Sequence, residues 1–408
     1  MSSDFHALVI LALFAFSQCG DCQDSVSANQ PFGSALNPEE KKYAVGPWGN
    51  LEFYPLILES SDFFVSRSKD LLNWGQGTVW RFSAMNSAGV EGVFKDAGIS
   101  SKLRDELLSD QYMSFNKDTD VYEIRPPEHL IIALTSENRR ILYPQILPQN
   151  DDNPFYSAFA LPVGGLDAVT YVSSGVPQEQ IDLIRALSFK KGRTNRFSDI
   201  NLVFSKAKTD YERWRILKTI GRERSLSVKL RISEDHNLSQ LANYWSAGGK
   251  NKEILPILES VMMTSGIETL DLIHLLPPTP RKLLHTYPSP AGDGIGREMP
   301  DCNWTAASFF SEEPPERYLD SIGQVLENRY EIATRPLQLG DIILLSDKSS
   351  GKPIHACNYI AGNLVFTKNG MSMGRPWTIS SLEDVIEVYL SVESLSLGFR
   401  RLKPQYQK

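Results

Sequence analysis

The chain has 408 residues, 41% of them hydrophobic and 22% charged, an ordinary globular composition with length enough for two or three packed domains. Its formal net charge of -7 and pI of about 5.5 exclude a general phosphate-binding surface, so nucleic acid is not an expected partner. The small basic patches Lys190-Lys191-Gly192-Arg193 and Gly221-Arg222-Glu223-Arg224 read as solvated faces.

Ala7 to Phe16 is an unbroken apolar run followed by small and polar residues. It is shorter than the roughly 20 residues that span a bilayer. The run reads as a secretory signal over residues 1–17, with Ala15 and Ser17 as the small residues before a cut after Ser17, although no Lys or Arg precedes it. Cys19 invites a second reading, a lipid attached to a new terminal cysteine, with Gln18 unusual before such a cut. Export to the periplasm, cell envelope or extracellular space is expected, with no transmembrane segment left after signal removal. Residues 18–39 are Ser/Asn/Gln/Pro-rich and read as a mobile leader. With Cys19 and Cys22 beside the signal, only Cys302 and Cys357 remain in the body, enough for one bridge and too few for a disulfide scaffold. No Cys/His cluster has zinc spacing, and no metal or cofactor is implied.

Ordered structure is expected from Val45-Gly-Pro-Trp48, a turn into an extended segment through Leu58. Thr78 to Phe82 and Val121 to Ile124 read as strands, and Ser100 to Leu108 as a short helix. Pro126-Pro127 opens a helix, Ser136 to Tyr143 forms another, and the breaker cluster Pro148 to Pro154 follows. Helices are predicted over Gln178–Leu187, from an Asp199 cap into Ser205, and over Asp210–Ile220 with Gly221 at C′. Ser225 to Ile232 alternates cleanly as a strand, before helices at Leu238–Ser246 and Lys252–Thr264. His129, His236, His274 and His285 are isolated and read as structural or solvated rather than as ligands or bases. Trp48, Trp74, Trp80, Trp214 and Trp245 read as core anchors rather than a binding groove. Residues 40–266 therefore form a helix-rich α+β domain of unassigned role, with the boundary near Ile267. Beyond it Thr279 caps a helix with Pro280 at N1.

From residue 267 to 408 the pattern carries chemistry. Asp301-Cys302 opens a helix through Phe310, and a helix start favours a thiolate and lowers a thiol's pKa. A helical stretch around Tyr318 to Asn328 is followed by the strand Gly340-Asp-Ile-Ile-Leu-Leu. Ile354-His-Ala-Cys-Asn-Tyr-Ile then reverses at Ala361-Gly-Asn into Leu364-Val-Phe-Thr-Lys, a β-hairpin. Trp377-Thr-Ile, a capping box at Ser380 to Glu383 opening a helix to Tyr389, and a last strand from Ser396 complete the order.

This order resembles the NlpC-type papain-like cysteine peptidase and amidase superfamily, and more loosely the CHAP amidases, over the last third of the chain. The matching residues are Asp301-Cys302, Gly340-Asp341 and His355, with the cysteine before the histidine. The chain also resembles a family of exported bacterial proteins with a His-x-Cys-x-Tyr strand and a Val-Phe-Thr-Lys-Asn-Gly segment, a likeness that adds no activity. The resemblance implies an α+β fold in which a helix-borne cysteine packs on a small antiparallel sheet. It also implies Cys302 as nucleophile, His355 as base, a site bordered by Tyr287, and peptidoglycan stem peptides as substrate. Two departures stand out. Asn303-Trp304 follows the cysteine where the family has Ser-Gly, and the base strand reads His355-Ala356-Cys357 where the family has a glycine.

Period two puts Cys357 on the face of His355, as a packed small residue, a redox partner or a bridge to Cys302. A third group should orient the imidazole. A three-residue loop at Ala361-Gly-Asn puts Asn369 opposite His355, with Thr367 on the same face, and a different loop length presents Lys368. Asn369 is preferred, because an amide oxygen accepts from a ring N–H and an ammonium cannot. Asp301, Trp304, Tyr287 and Cys357 are then the expected substrate-side neighbours. The expected chemistry is attack of Cys302 on an amide carbonyl to give an acyl-enzyme. The alternatives are an inactive binding or structural protein on the same fold, and a thiol acyltransferase.

Overall fold

The computed structural model describes residues 42–62, 65–66, 77–146, 159–162, 164–170, 172–191, 194–232, 237–251, 253–288, 300–314, 322–389 and 395–406. The expected signal and leader with Cys19 and Cys22, the breaker cluster 148–154, Trp74 and His236 lie outside them. The chain forms two compact units, one of residues up to Leu58 together with Glu223 onward, the other Glu59–Arg222. Both are α+β with antiparallel sheets. The boundary expected near Ile267 falls inside the first unit. The reason is a long-range pairing that composition does not mark, between strands on either side of the 59–222 insertion.

In the first unit, β1 (Lys42–Gly46), β2 (Gly49–Leu58), β3 (Glu223–Arg231) and β4 (Thr269–Asp271) form one sheet in that order. β2 and β3 pair along their whole length, from Asn50↔Arg231 to Leu58↔Glu223. Period-two alternation turns Leu51, Phe53, Leu226, Val228 and Leu230 inward, where α1 (Leu238–Trp245) and α2 (Ile254–Met263) cover them with Leu241, Trp245, Ile254 and Leu258. Trp245 is fully buried, and its Nε1 donates to the Trp48 carbonyl at 3.1 Å. The helix expected from a Thr279 cap starts earlier, as α3 (Pro278–Leu283). The Thr279 hydroxyl donates instead to the Ser311 carbonyl.

The second sheet of this unit has six strands. They are β5 (Tyr330–Ile332), β6 (Ile342–Asp347), β7 (Pro353–Ala361), β8 (Leu364–Lys368), β9 (Trp377–Ser381) and β10 (Leu395–Leu402), in the order β5-β10-β6-β7-β8-β9. One face carries α4 (Cys302–Ala307) and α5 (Ile322–Arg329), with Ala306, Val325 and Leu326 against Ile342, Leu344 and Ala356. The other carries α6 (Leu382–Tyr389), with Leu382, Val385 and Ile386 against Ile343, Leu345, Cys357 and Tyr359. A sheet covered on both sides has no solvent face, which is why β6 and β7 read as near-continuous apolar runs. Ser381, not Ser380, caps α6, accepting from the Asp384 N–H at 3.1 Å.

The Gly340-Asp341 step docks α4 on this sheet. Gly340 has φ +85°, and a Cβ there would lie 2.2 Å from the Phe310 ring that closes the turn after α4. Asp341 is buried in a two-pronged pair with Arg401, at 2.9 Å and 2.6 Å, and accepts the Gln338 N–H at 2.8 Å. Asn358 adds a third tie, its Nδ2 donating to the Ala306 carbonyl at 3.0 Å.

The Glu59–Arg222 unit is closed at its own ends by those two residues, the Arg222 Nη2 lying 2.6 Å from Glu59 Oε1. Gly221 ends its helix Asp210–Ile220, but with φ -88° rather than the left-handed conformation. Glycine is needed because a Cβ would sit 2.5 Å from Ser60 Oγ. Trp80, Phe82, Phe94, Tyr143 and Phe197 make its core. Asp199 precedes the helix Ile200–Lys206 without capping it. Its carboxylate takes Arg139 Nε at 3.1 Å and the Tyr143 hydroxyl at 2.8 Å, while the remaining Arg139 donors go to the Leu134 and Ile131 carbonyls.

Two variants test this packing by urea unfolding. Gly340→Ala strains a left-handed position and forces the Phe310 ring away, and should cost the first unit about 1–3 kcal/mol. Arg139→Ala strands a buried carboxylate and two carbonyls, and should cost the second unit about 3–5 kcal/mol.

Candidate functional site

Cys302 begins α4, a helix of six residues that ends at Ala307, short of the expected Phe310. Asp301 is its N-cap. Oδ1 accepts the Trp304 N–H at 2.7 Å, Oδ2 takes Asn303 Nδ2 at 3.3 Å, and the Asp301 carbonyl takes the Thr305 hydroxyl at 2.7 Å. Thr305 Oγ1 in turn accepts from Trp377 Nε1 at 2.9 Å, which ties the start of the helix to β9. Cys302 is 8% exposed. The expectation that the helix start lowers its pKa is overturned. Burial pushes the thiol up, the Ala356 N–H pulls it down, the Asp301 charge pushes it up again, and the N–H groups of Cys302 and Asn303 pull it down. The balance lies above the ordinary value. Three backbone donors therefore face the sulfur, yet removal from water outweighs them.

The hairpin sets the surroundings of His355. Its loop has two residues, Gly362 and Asn363, with Ala361↔Leu364 as the closing pair. A bulge at Ile360 then restores Tyr359↔Val365 and Asn358↔Phe366, the register that a three-residue loop would have produced. Period two places His355 and Cys357 on the α6 face and Ala356 and Asn358 on the α4 face. The imidazole is fully buried, stacked on the Tyr389 ring with centroids 4.5 Å apart. Its Nε2 lies 2.8 Å from Thr367 Oγ1, and its Nδ1 has no hydrogen-bond partner. Thr367, not the preferred Asn369, holds the ring. Asn369 lies past the end of β8, its Oδ1 without a partner. Burial pushes the His355 pKa down to about 3, so the ring is neutral.

Cys302 and His355 thus belong to opposite layers of the sheet, and the sulfur sits at the seam between them. The β7–β8 pairing ends at Asn358↔Phe366, leaving the Ala356 N–H to the sulfur. A charge on Cys302 acts on Cys357 and Tyr389 of the α6 face, and on Lys368 of the α4 face. Cys302 and Cys357 are buried free thiols, and no bridge joins them. The Cys357 sulfur faces the Ile343 carbonyl at 3.9 Å, and burial together with the Cys302 charge pushes it well above a thiol's usual range. Trp304 packs 6.4 Å from Trp377. Tyr287, half-buried, follows the segment in which the His285 N–H donates to the Trp377 carbonyl at 2.9 Å.

Sequence reasoning missed Lys368 as a neighbour of the thiol, because a strand lysine ordinarily faces water. It also missed Tyr389 as the stacking partner of the base. His285 is not isolated either: its Nε2 lies 2.9 Å from the buried Ser225 Oγ, which also exchanges hydrogen bonds with the Ile379 backbone. Among the described residues no group of three or more His, Cys, Asp or Glu side chains is gathered as a ligand set, and no helix is long and apolar enough to cross a membrane. Compared with known proteins, the chain matches no family model, no curated protein and no solved structure.

The buried imidazole makes an acid prediction. Its folded pKa of about 3 lies below the ordinary 6.5. Between those values the unfolded chain holds the extra proton, so stability is complete above pH 6.5 and falls as the solution is acidified. The loss should reach about 3 kcal/mol near pH 4. Comparing urea midpoints of wild type and His355→Gln across this range isolates it. Parallel acid profiles for the two would remove the assignment.

Proposed function

We propose that the C-terminal part of the first unit is a papain-like, NlpC-type domain, and that the protein is an exported thiol hydrolase of amide bonds, with peptidoglycan stem peptides as its substrate class. The observation that carries this reading is the setting of Cys302. The backbone N–H groups of Ala356, Cys302 and Asn303 favour its thiolate, and His355, on the opposite face of β7, has Nε2 held by Thr367 and Nδ1 unpartnered. In the reaction the Cys302 proton passes to His355, the sulfur attacks the carbonyl, and His355 returns the proton to the leaving amine. Water then cleaves the thioester, releasing the carboxylic acid and the thiol. The same backbone donors suit an oxyanion next to the sulfur. A base with a pKa of about 3 is a weak one at neutral pH. The buried arrangement is therefore a resting form, and substrate entry past Trp304 has to rehydrate the imidazole.

The burial of the thiol and its raised pKa favour a second reading, a binding or structural protein that keeps the fold without turnover. Incubation with muropeptides, followed by detection of new amino termini, separates the two. Hydrolysis should fall by at least about 10²-fold in His355→Gln and disappear in Cys302→Ala. Hydrolysis undiminished in Cys302→Ala would remove Cys302 as the nucleophile, and no hydrolysis together with a Cys302 thiol inert to alkylation would leave the binding reading. New amide products on addition of an amine acceptor would instead point to acyl transfer.

A further inference from the structure

β9 is the last strand of the six-stranded sheet, and its outer edge is closed by loop backbone and a side chain rather than by another strand of that sheet. Trp377 and Ile379, alternate residues of β9, turn their amides to that edge. The Trp377 N–H donates to the Thr286 carbonyl at 3.1 Å, and its carbonyl accepts the His285 N–H at 2.9 Å. The Ile379 N–H and carbonyl both go to one atom, the hydroxyl of Ser225 on β3, at 3.1 Å and 3.2 Å. His285 Nε2 lies 2.9 Å from the same oxygen, reached from a left-handed backbone with φ +64° that few residues with a side chain adopt. A hydroxyl has one proton and two lone pairs. With Ile379 giving its N–H to the oxygen and its carbonyl taking the hydroxyl proton, the second lone pair needs a donor. A proton on Nε2 supplies it and leaves every group paired. A bare Nε2 would take the hydroxyl proton instead and strand the carbonyl of Ile379, a residue only 1% exposed. Burial holds the ring below its ordinary pKa, against the Leu226 carbonyl and the Asp271 charge, so at neutral pH it has a single proton to place.

We propose that His285 is a positioning residue of the candidate site: it keeps its ring proton on Nε2 and, through Ser225, locks the edge of the strand that carries Trp377. The lock reaches the thiol through a short chain of contacts. Trp377 Nε1 donates to Thr305 Oγ1 at 2.9 Å, and the Thr305 hydroxyl donates to the carbonyl of Asp301, the cap of the helix that Cys302 begins. The inference rests on the reading of Cys302 as the nucleophile only in naming what is positioned. Its test needs no substrate, so it and the hydrolase reading can each fail alone.

The test has two arms, both on the full chain. Heteronuclear NMR of the imidazole nitrogens at neutral pH, with His285→Gln to assign the signal, should find the His285 proton on Nε2, and a proton on Nδ1 overturns the proposal. The second arm is the rate at which iodoacetamide modifies Cys302, read by mass spectrometry on the peptide that contains it. His285→Met, which has no donor, should raise that rate about tenfold as the edge of β9 opens, and His285→Gln, whose amide N–H replaces the Nε2 donor, should stay within about twofold of wild type. Equal rates in the two variants overturn the proposal. If His285→Met does not fold, the position of the ring proton in the wild-type protein decides.

Discussion

Burial of the six-stranded sheet on both faces is the constraint on which the rest of the first unit depends. With α4 and α5 on one side and α6 on the other, the central strands have no solvent to turn polar side chains towards. Each polar group on them must be neutral, paired, or held by backbone. That single condition accounts for the neutral imidazole of His355, the protonated Cys357 thiol and the depressed pKa of Lys368, at about 8. It also accounts for the short side chains Ala356 and Cys357 between the two helical layers.

The cysteine helix is fixed by means other than its dipole. Six residues make a weak dipole, and Asp301, which caps the helix, places a negative charge beside the sulfur. What favours the thiolate comes mainly from the sheet, through the Ala356 N–H exposed where the β7–β8 pairing stops. The Gly340 approach to Phe310 and the Asp341–Arg401 pair hold α4 in register with that opening. A motif that reads as a signature of chemistry is thus, in this molecule, first a docking device for the helix that carries the thiol.

Much of the local structure is legible in the sequence. Gln178–Leu187 and Asp210–Ile220 lie where capping and helical spacing put them, and the Val121–Ile124 strand and the His355 hairpin follow from turn chemistry and alternation. The division into units was not legible, because the β2–β3 pairing joins strands with 59–222 between them. The hairpin shows the limit most clearly. A two-residue loop replaced the expected three, and a bulge at Ile360 cancelled the difference, so the register agreed while its cause did not.

The sequence by itself determined which residues carry reactive groups and on which elements they sit: Cys302 at a helix start, His355 and Cys357 on one strand face, Thr367 and Lys368 on the next strand. Alternation and capping are local properties and are written in neighbouring residues. Tertiary structure alone decided that Thr367 rather than Asn369 meets the imidazole, that Cys302 lies at the seam between two helical layers, and that Lys368 is turned inward against Trp377. Protonation states were decided there too, because desolvation depends on what the rest of the chain stacks over a group, and no local pattern records that.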